Sequence, residues 1–115
     1  MSGSSKITLS KAGPRTVLIA KEALTQENCE DLEATFRACL VQQEVEIVLD
    51  LTQVPFVDSV ALEAFLRMHD ELKLRGRKLK LVGVNPLCTD ILVATRLNRV
   101  FSIYDSLSKA IRSGP

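Results

Sequence analysis

Apolar and polar positions alternate with two different periods along this chain, and the changes of period mark its elements. Ile7 and Leu9 alternate with polar neighbours, Ala12-Gly13-Pro14 supplies a turn, and Val17-Leu18-Ile19-Ala20 is a continuous apolar run. This predicts an N-terminal hairpin whose second strand is buried on both faces. From Thr25 to Leu40 the apolar positions Cys29, Leu32, Phe36, Cys39 and Leu40 recur at helical spacing. Thr25 is the expected N-cap, and Glu27, Glu30 and Asp31 put negative charge where a helix dipole favours it. Glu46 to Leu51 reads as a central strand, and Thr52 to Phe56 as its connector. A second helix is expected from Asp58 or Ser59, with Leu62, Phe65, Leu66, His69 and Leu72 inward and Gly76 as its stop. Lys78 to Val84 is the next strand. Asn85-Pro86 opens a third helix as cap and first residue, with Leu87, Ile91 and Leu92 facing the core. Val100 to Ile103 is a short last strand. Asp105 or Ser106 caps a closing helix that carries Leu107, Ala110 and Ile111.

The resulting order is ββαβαβαβα. Regular β/α alternation implies right-handed crossovers and mostly parallel pairing. The fold class is therefore α/β, a mixed and mostly parallel sheet of about four or five strands with about four helices. One domain is expected over residues 6–112, with disordered tails at 1–5 and 113–115.

Composition narrows the function. The chain has 115 residues, 46% hydrophobic and 25% charged, which is a globular composition. Fifteen Lys and Arg against fourteen Asp and Glu leave a formal charge of +1. Such a chain has no global electrostatic reason to bind nucleic acid or an anionic membrane. The N-terminal stretch MSGSSKITL lacks the apolar region of a signal peptide, and no run is long enough for direct membrane insertion. A cytoplasmic location is expected. Cys29, Cys39 and Cys88 form no CxxC pair and read as buried, neutral thiols in a reducing compartment.

The chain also lacks the usual enzyme signatures. It has no phosphate loop, no dinucleotide fingerprint, no HExxH and no GxSxG. A single histidine, His69, falls on the apolar stripe of its own helix and reads as a packing residue. No metal site and no cofactor is expected, and the chain is expected not to be an enzyme. Lys73, Arg75, Arg77, Lys78 and Lys80 straddle a helix end, a glycine turn and a strand start, and read as solvated surface.

The informative segment runs from Val48 to Leu66. It passes from a buried strand through a tight connector into an amphipathic helix, with Asp58 and Ser59 at the junction. Either side chain can cap the helix, whose first N–H groups lack intrahelical partners. The same geometry leaves a serine hydroxyl near the surface, at the carboxyl end of a sheet strand, where sites in open α/β sheets gather. Phosphorylation there would add about −1.5 to −2 charge. The helix N-terminus would tolerate it, but a partner docked over Val60, Ala61 and Leu62 would not.

Three stretches then resemble one family. VLDLTQVPFVDSVAL (48–62) resembles the strand and DSSGL segment of the STAS family, which includes the bacterial anti-sigma-factor antagonists. LKLRGRKLKLVGVNP (72–86) resembles its glycine turn, strand and helix start, and LNRVFSIYDSLSKAI (97–111) its ending. The resemblance covers about residues 6 to 112 and implies a single STAS domain. It also implies a phosphorylation site at Ser59, preceded by Asp58, and a partner that is an anti-sigma factor and GHKL-type serine kinase. Val60-Ala61 stand where the family has Ser-Gly, while Leu62 matches. Glu22-Ala23-Leu24-Thr25 stand where it often has Gly-Glu-Leu-Asp, so Glu22, Leu24 and Thr25 join the implied partner surface. The loss of these glycines points toward the alternative STAS role. That role is a constitutive accessory subunit on the ATPase of a lipid-transporting ABC system, or the regulatory domain of an anion transporter.

Overall fold

The computed structural model describes residues 7–44 and 46–113. Strands β1 (Ile7–Ala12) and β2 (Arg15–Ala20) pair antiparallel. β3 (Ile47–Asp50), β4 (Lys80–Val82) and β5 (Ser102–Tyr104) then add in parallel, in the spatial order β1-β2-β3-β4-β5. Helix α1 (Cys29–Val41) joins β2 to β3, α2 (Ser59–Lys73) joins β3 to β4, α3 (Pro86–Ala94) leads toward β5, and α4 (Leu107–Arg112) closes the chain. This is the ββαβαβαβα order expected from the pattern. The strands advance across the sheet in one direction, so right-handed crossovers put α1, α2 and α3 on one face.

Strand alternation divides the core accordingly. Leu18, Leu49 and Leu81 face α1 and α2, where they pack with Leu32, Phe36, Phe65, Met68 and Leu72. Each such side chain contributes about 1.5–3 kcal/mol by leaving water. Val17, Val48 and Val82 face the other way, in a smaller cluster closed by Ala110 of α4. β2 is thus covered on both faces, as its apolar run requires. A bidentate pair also fastens α1 to α2: Arg67 donates to both Glu33 carboxylate oxygens, at 2.9 and 2.8 Å.

Several boundaries differ from the sequence expectation. α1 begins at Cys29, not at Thr25. The Thr25 hydroxyl accepts from the Glu27 N–H at 3.3 Å, closing a local turn instead of capping the helix. β4 is shorter than 78–84, because Gly83 turns out of it with φ +73. A Cβ there would collide with the Thr52 side chain and lie 3.0 Å from its Cα. The last strand is Ser102–Tyr104, since Leu97–Arg99 forms a 3-10 turn after a left-handed Arg96. Leu87 is 55% exposed, and Cys88 and Leu92 carry the core face of α3 instead.

Gly76 does stop α2. It adopts φ +74, its N–H binds the Lys73 carbonyl and the Arg77 N–H binds that of Leu72, the Schellman pattern. Lys80 corrects the reading of the basic run as solvated surface. It is buried, and its ammonium donates to the Ala110 carbonyl at 2.9 Å and the Ser113 hydroxyl at 2.8 Å. Ser113, expected in the C-terminal tail, thereby closes α4. The rest of that tail and residues 1–5 lie outside the described residues.

Candidate functional site

Three loops meet at the carboxyl ends of the parallel strands, and backbone hydrogen bonds join two of them. The Leu24 N–H donates to the Phe56 carbonyl at 3.1 Å, and the Asp58 N–H donates to the Leu24 carbonyl at 3.1 Å. Leu24 and Val57 form an isolated parallel bridge beyond the end of the sheet. Asn85 ties in the third loop, donating to the carbonyls of Val54 at 3.1 Å and Pro55 at 2.9 Å. Its side-chain oxygen accepts from the Cys88 N–H at 2.8 Å, so one amide caps α3 and pins the loop before α2.

Asp58 does the corresponding work for α2. One carboxylate oxygen caps the helix, accepting from the Ala61 N–H at 3.0 Å, and the other accepts from the Gln26 N–H at 2.9 Å. The Ala61 bond, more than any other contact, holds the carboxyl below the usual aspartate range, with Gln26 adding to it. Asp58 is therefore a fixed negative charge at neutral pH.

Ser59 is the first residue of α2 and is exposed. Among the described residues its hydroxyl has no hydrogen-bond partner. Of the two capping alternatives, the aspartate is the cap and the serine is left over. Glu22 is exposed, and Thr25, Asp58, Val60 and Leu62 are half-buried. Leu24 and Ala61 are buried, so their side chains shape the junction from beneath. Leu62 and Val60 pack partly against the core.

Two residues outside the implied partner surface add to it. Phe56 is 45% exposed in the loop just before Asp58, and the exposed Leu87 opens α3 beside the Asn85 clamp. Both are exposed apolar side chains at the loops that Asn85 ties together. Asn28 is buried and organises the first loop, accepting from the Thr25 N–H at 2.8 Å and donating to the Ala23 carbonyl at 2.6 Å. The sequence pattern places Asn28 inside a helix starting at Thr25, so its role before a helix that begins at Cys29 was not legible.

The arrangement offers a nucleophilic hydroxyl on a rigid frame, a fixed carboxylate beside it and apolar side chains around it. Among the described residues no three His, Cys, Asp or Glu side chains are grouped to hold a metal ion, and no helix is long and apolar enough to cross a membrane. The STAS domain model matches residues 6–110. The chain belongs to the STAS domain family.

Solved structures share the fold of this STAS domain. A candidate anti-sigma factor antagonist from Thermotoga maritima is 24% identical with a TM-score of 0.87, over 93% of this chain and 92% of that one. The Bacillus cell fate determinant SpoIIAA in its phosphorylated form is 18% identical with a TM-score of 0.70, over 91% of this chain and 96% of that one. The murine anion transporter Slc26a9 is 14% identical with a TM-score of 0.74, over 89% of this chain but only 18% of the transporter.

Proposed function

We propose that this STAS domain is a non-enzymatic protein-binding module of the anti-sigma-factor antagonist kind. It binds an anti-sigma serine kinase, and phosphorylation of Ser59 releases that partner. One observation carries the reading. The Ser59 hydroxyl is exposed at the start of α2 while Asp58 occupies the cap, so the hydroxyl can be modified without unmaking the helix start. The phosphorylated state of SpoIIAA, on the same fold, supports it further.

In the transfer, the Ser59 oxygen bonds to the γ-phosphorus of ATP, the bond to the ADP oxygen breaks, and the hydroxyl proton passes to a base on the kinase. The product puts about two negative charges next to the fixed carboxylate of Asp58. A partner seated on Phe56, Val60 and Leu87 would then have to bury that charge, which is costly without a cation to meet it.

The test uses the whole chain and a GHKL-type anti-sigma kinase from the same genome. ATP should add a single phosphate, on Ser59. Ser59→Ala should keep the complex, and Ser59→Asp should weaken it at least tenfold. Wild-type affinity in Ser59→Asp would refute the switch. The likeness to Slc26a9 supports the transporter-regulatory role as the second reading, beside the ABC-accessory form of it. Recovery of a lipid-system ATPase or a permease, with no ATP-dependent charge shift on the chain, would select it.

A further inference from the structure

The structure sorts the basic run that follows α2. Arg75 pairs with Glu71 at 3.2 Å, Arg77 lies 4.0 Å from Glu46, and Lys80 is buried against the end of α4. Lys73 and Lys78 have no acidic partner among the described residues, and neither has Arg99, which arrives from the 3-10 turn before β5. These three cations converge. With His69 and Val100 they line one surface depression of about 310 Å³. No carboxylate lines it. Asp70, next to His69 in sequence, lines the separate cleft between α1 and α2 instead.

The position of His69 adds a donor. Its ring is buried, set edge-on to Phe101 with 5.7 Å between centroids, and its Nδ1 accepts from the Leu79 N–H at 3.4 Å. A neutral imidazole that accepts at Nδ1 carries its proton on Nε2. Burial, reinforced by Lys73 and Lys78 and opposed by Asp70, keeps the ring below the usual histidine range and so neutral at pH 7. The Nε2–H has no partner among the described residues. The helix dipole accounts for Lys73 at the end of α2. It does not account for Lys78, in the connector after Gly76, or for Arg99, from the 3-10 turn, which line the same depression as Lys73.

We infer that this depression is an oxyanion site for a phosphate-type dianion, held by Lys73, Lys78 and Arg99 with the His69 N–H as an added donor. Arg99 can bind two oxygens at once through its planar fork, and the lysines supply point charges. His69 lies ten residues along α2 from Ser59, roughly 15 Å at the helical rise. The site is therefore separate from the Ser59 junction and does not depend on the switch reading.

The probe is inorganic phosphate, titrated into the isotopically labelled full chain at constant ionic strength, with sodium chloride as the reference. Saturable shifts should gather at His69, Lys73, Lys78 and Arg99. The His69 pKa should rise on binding, because a dianion offsets the two lysines that depress it. Lys78→Gln combined with Arg99→Gln alters two exposed side chains and should weaken phosphate binding about tenfold or more. Arg112→Gln, on the exposed part of α4, should leave it unchanged. A nucleoside diphosphate identifies the source: tighter binding at the same residues assigns a nucleotide phosphate, and equal binding assigns free phosphate. The inference is overturned if chloride reproduces the shifts, or if the double variant titrates like wild type.

Discussion

The carboxylate of Asp58 accepts the backbone N–H of Gln26 at 2.9 Å, across thirty-two residues of sequence. The same group caps α2 through Ala61. One side chain therefore links the loop before α1 to the helix that carries Ser59. Asp58→Ala should remove both links at once. The expected outcome is a lower thermal midpoint and faster hydrogen exchange at the Gln26 and Ala61 amides, with Ser59→Ala changing neither. Unchanged protection at Gln26 in Asp58→Ala would mean that the Leu24–Phe56 and Asp58–Leu24 backbone bonds suffice to join the loops.

Gly83 offers a paired comparison with Gly13. Both have positive φ, +73 and +66, but a Cβ at Gly13 meets open space while one at Gly83 meets Thr52. Gly13→Ala should cost about 1–2 kcal/mol, the backbone penalty alone. Gly83→Ala adds a collision worth about 1–3 kcal/mol, and it displaces the loop that Asn85 ties to the site. Urea unfolding of the two variants measures the difference directly. Equal losses would show that Thr52 moves aside freely.

The contrast between legible and illegible features follows from how local each signal is. Asn85-Pro86 was readable because cap and first-turn proline act on adjacent residues, and the structure puts both in those roles. The burial of His69 was readable from helical spacing. Leu87 was not, because α3 is apolar at Leu87, Cys88, Ile91, Leu92 and Val93, so no single stripe stands out. The burial of Lys80 is not legible in the basic run, because its environment is made by α4, a six-residue helix thirty positions away. At the site, Asp58 and Ser59 were found together from sequence, but which one caps depends on the φ and ψ of Asp58 and on the Ala61 contact. Phe56 carried no local mark at all; its exposure follows from the loop being pinned at Val54 and Pro55.

The Glu33–Arg67 pair makes one contribution to stability depend on pH. The hydrogen bonds from Arg67 hold the Glu33 carboxyl below the usual glutamate range. A carboxyl with a lowered folded pKa stabilises the fold above its unfolded value, roughly 4.3, and that contribution is lost as pH falls through the folded value. Arg67→Met should therefore be less stable than wild type at neutral pH, and the two unfolding curves should converge as the pH drops below the glutamate range. Direct observation of the Glu33 carboxyl by NMR should show its titration moving up in Arg67→Met. Parallel curves at all pH values would remove the ion pair from the account of how α1 is held on α2.

The three thiols test whether the junction opens in solution. Cys29, Cys39 and Cys88 are each 2–3% exposed, and burial is the main cause that raises the pKa of all three. Cys29 is pushed up to about 11, with Asp58 and Glu33 adding to the burial. Thiolate is the reactive form, so a haloacetamide at pH 8 should leave the native chain unmodified over times that alkylate an unfolded chain fully. Denaturant should expose all three together if the domain unfolds as one unit. Cys29 is the informative residue, because it lies at the start of α1 directly after the Asn28 loop. Selective labelling of Cys29 in the native chain would show that this loop lifts away from Asp58 on its own. Such opening would loosen the frame around Ser59 and leave its accessibility governed by loop motion and not by the fixed position at the start of α2.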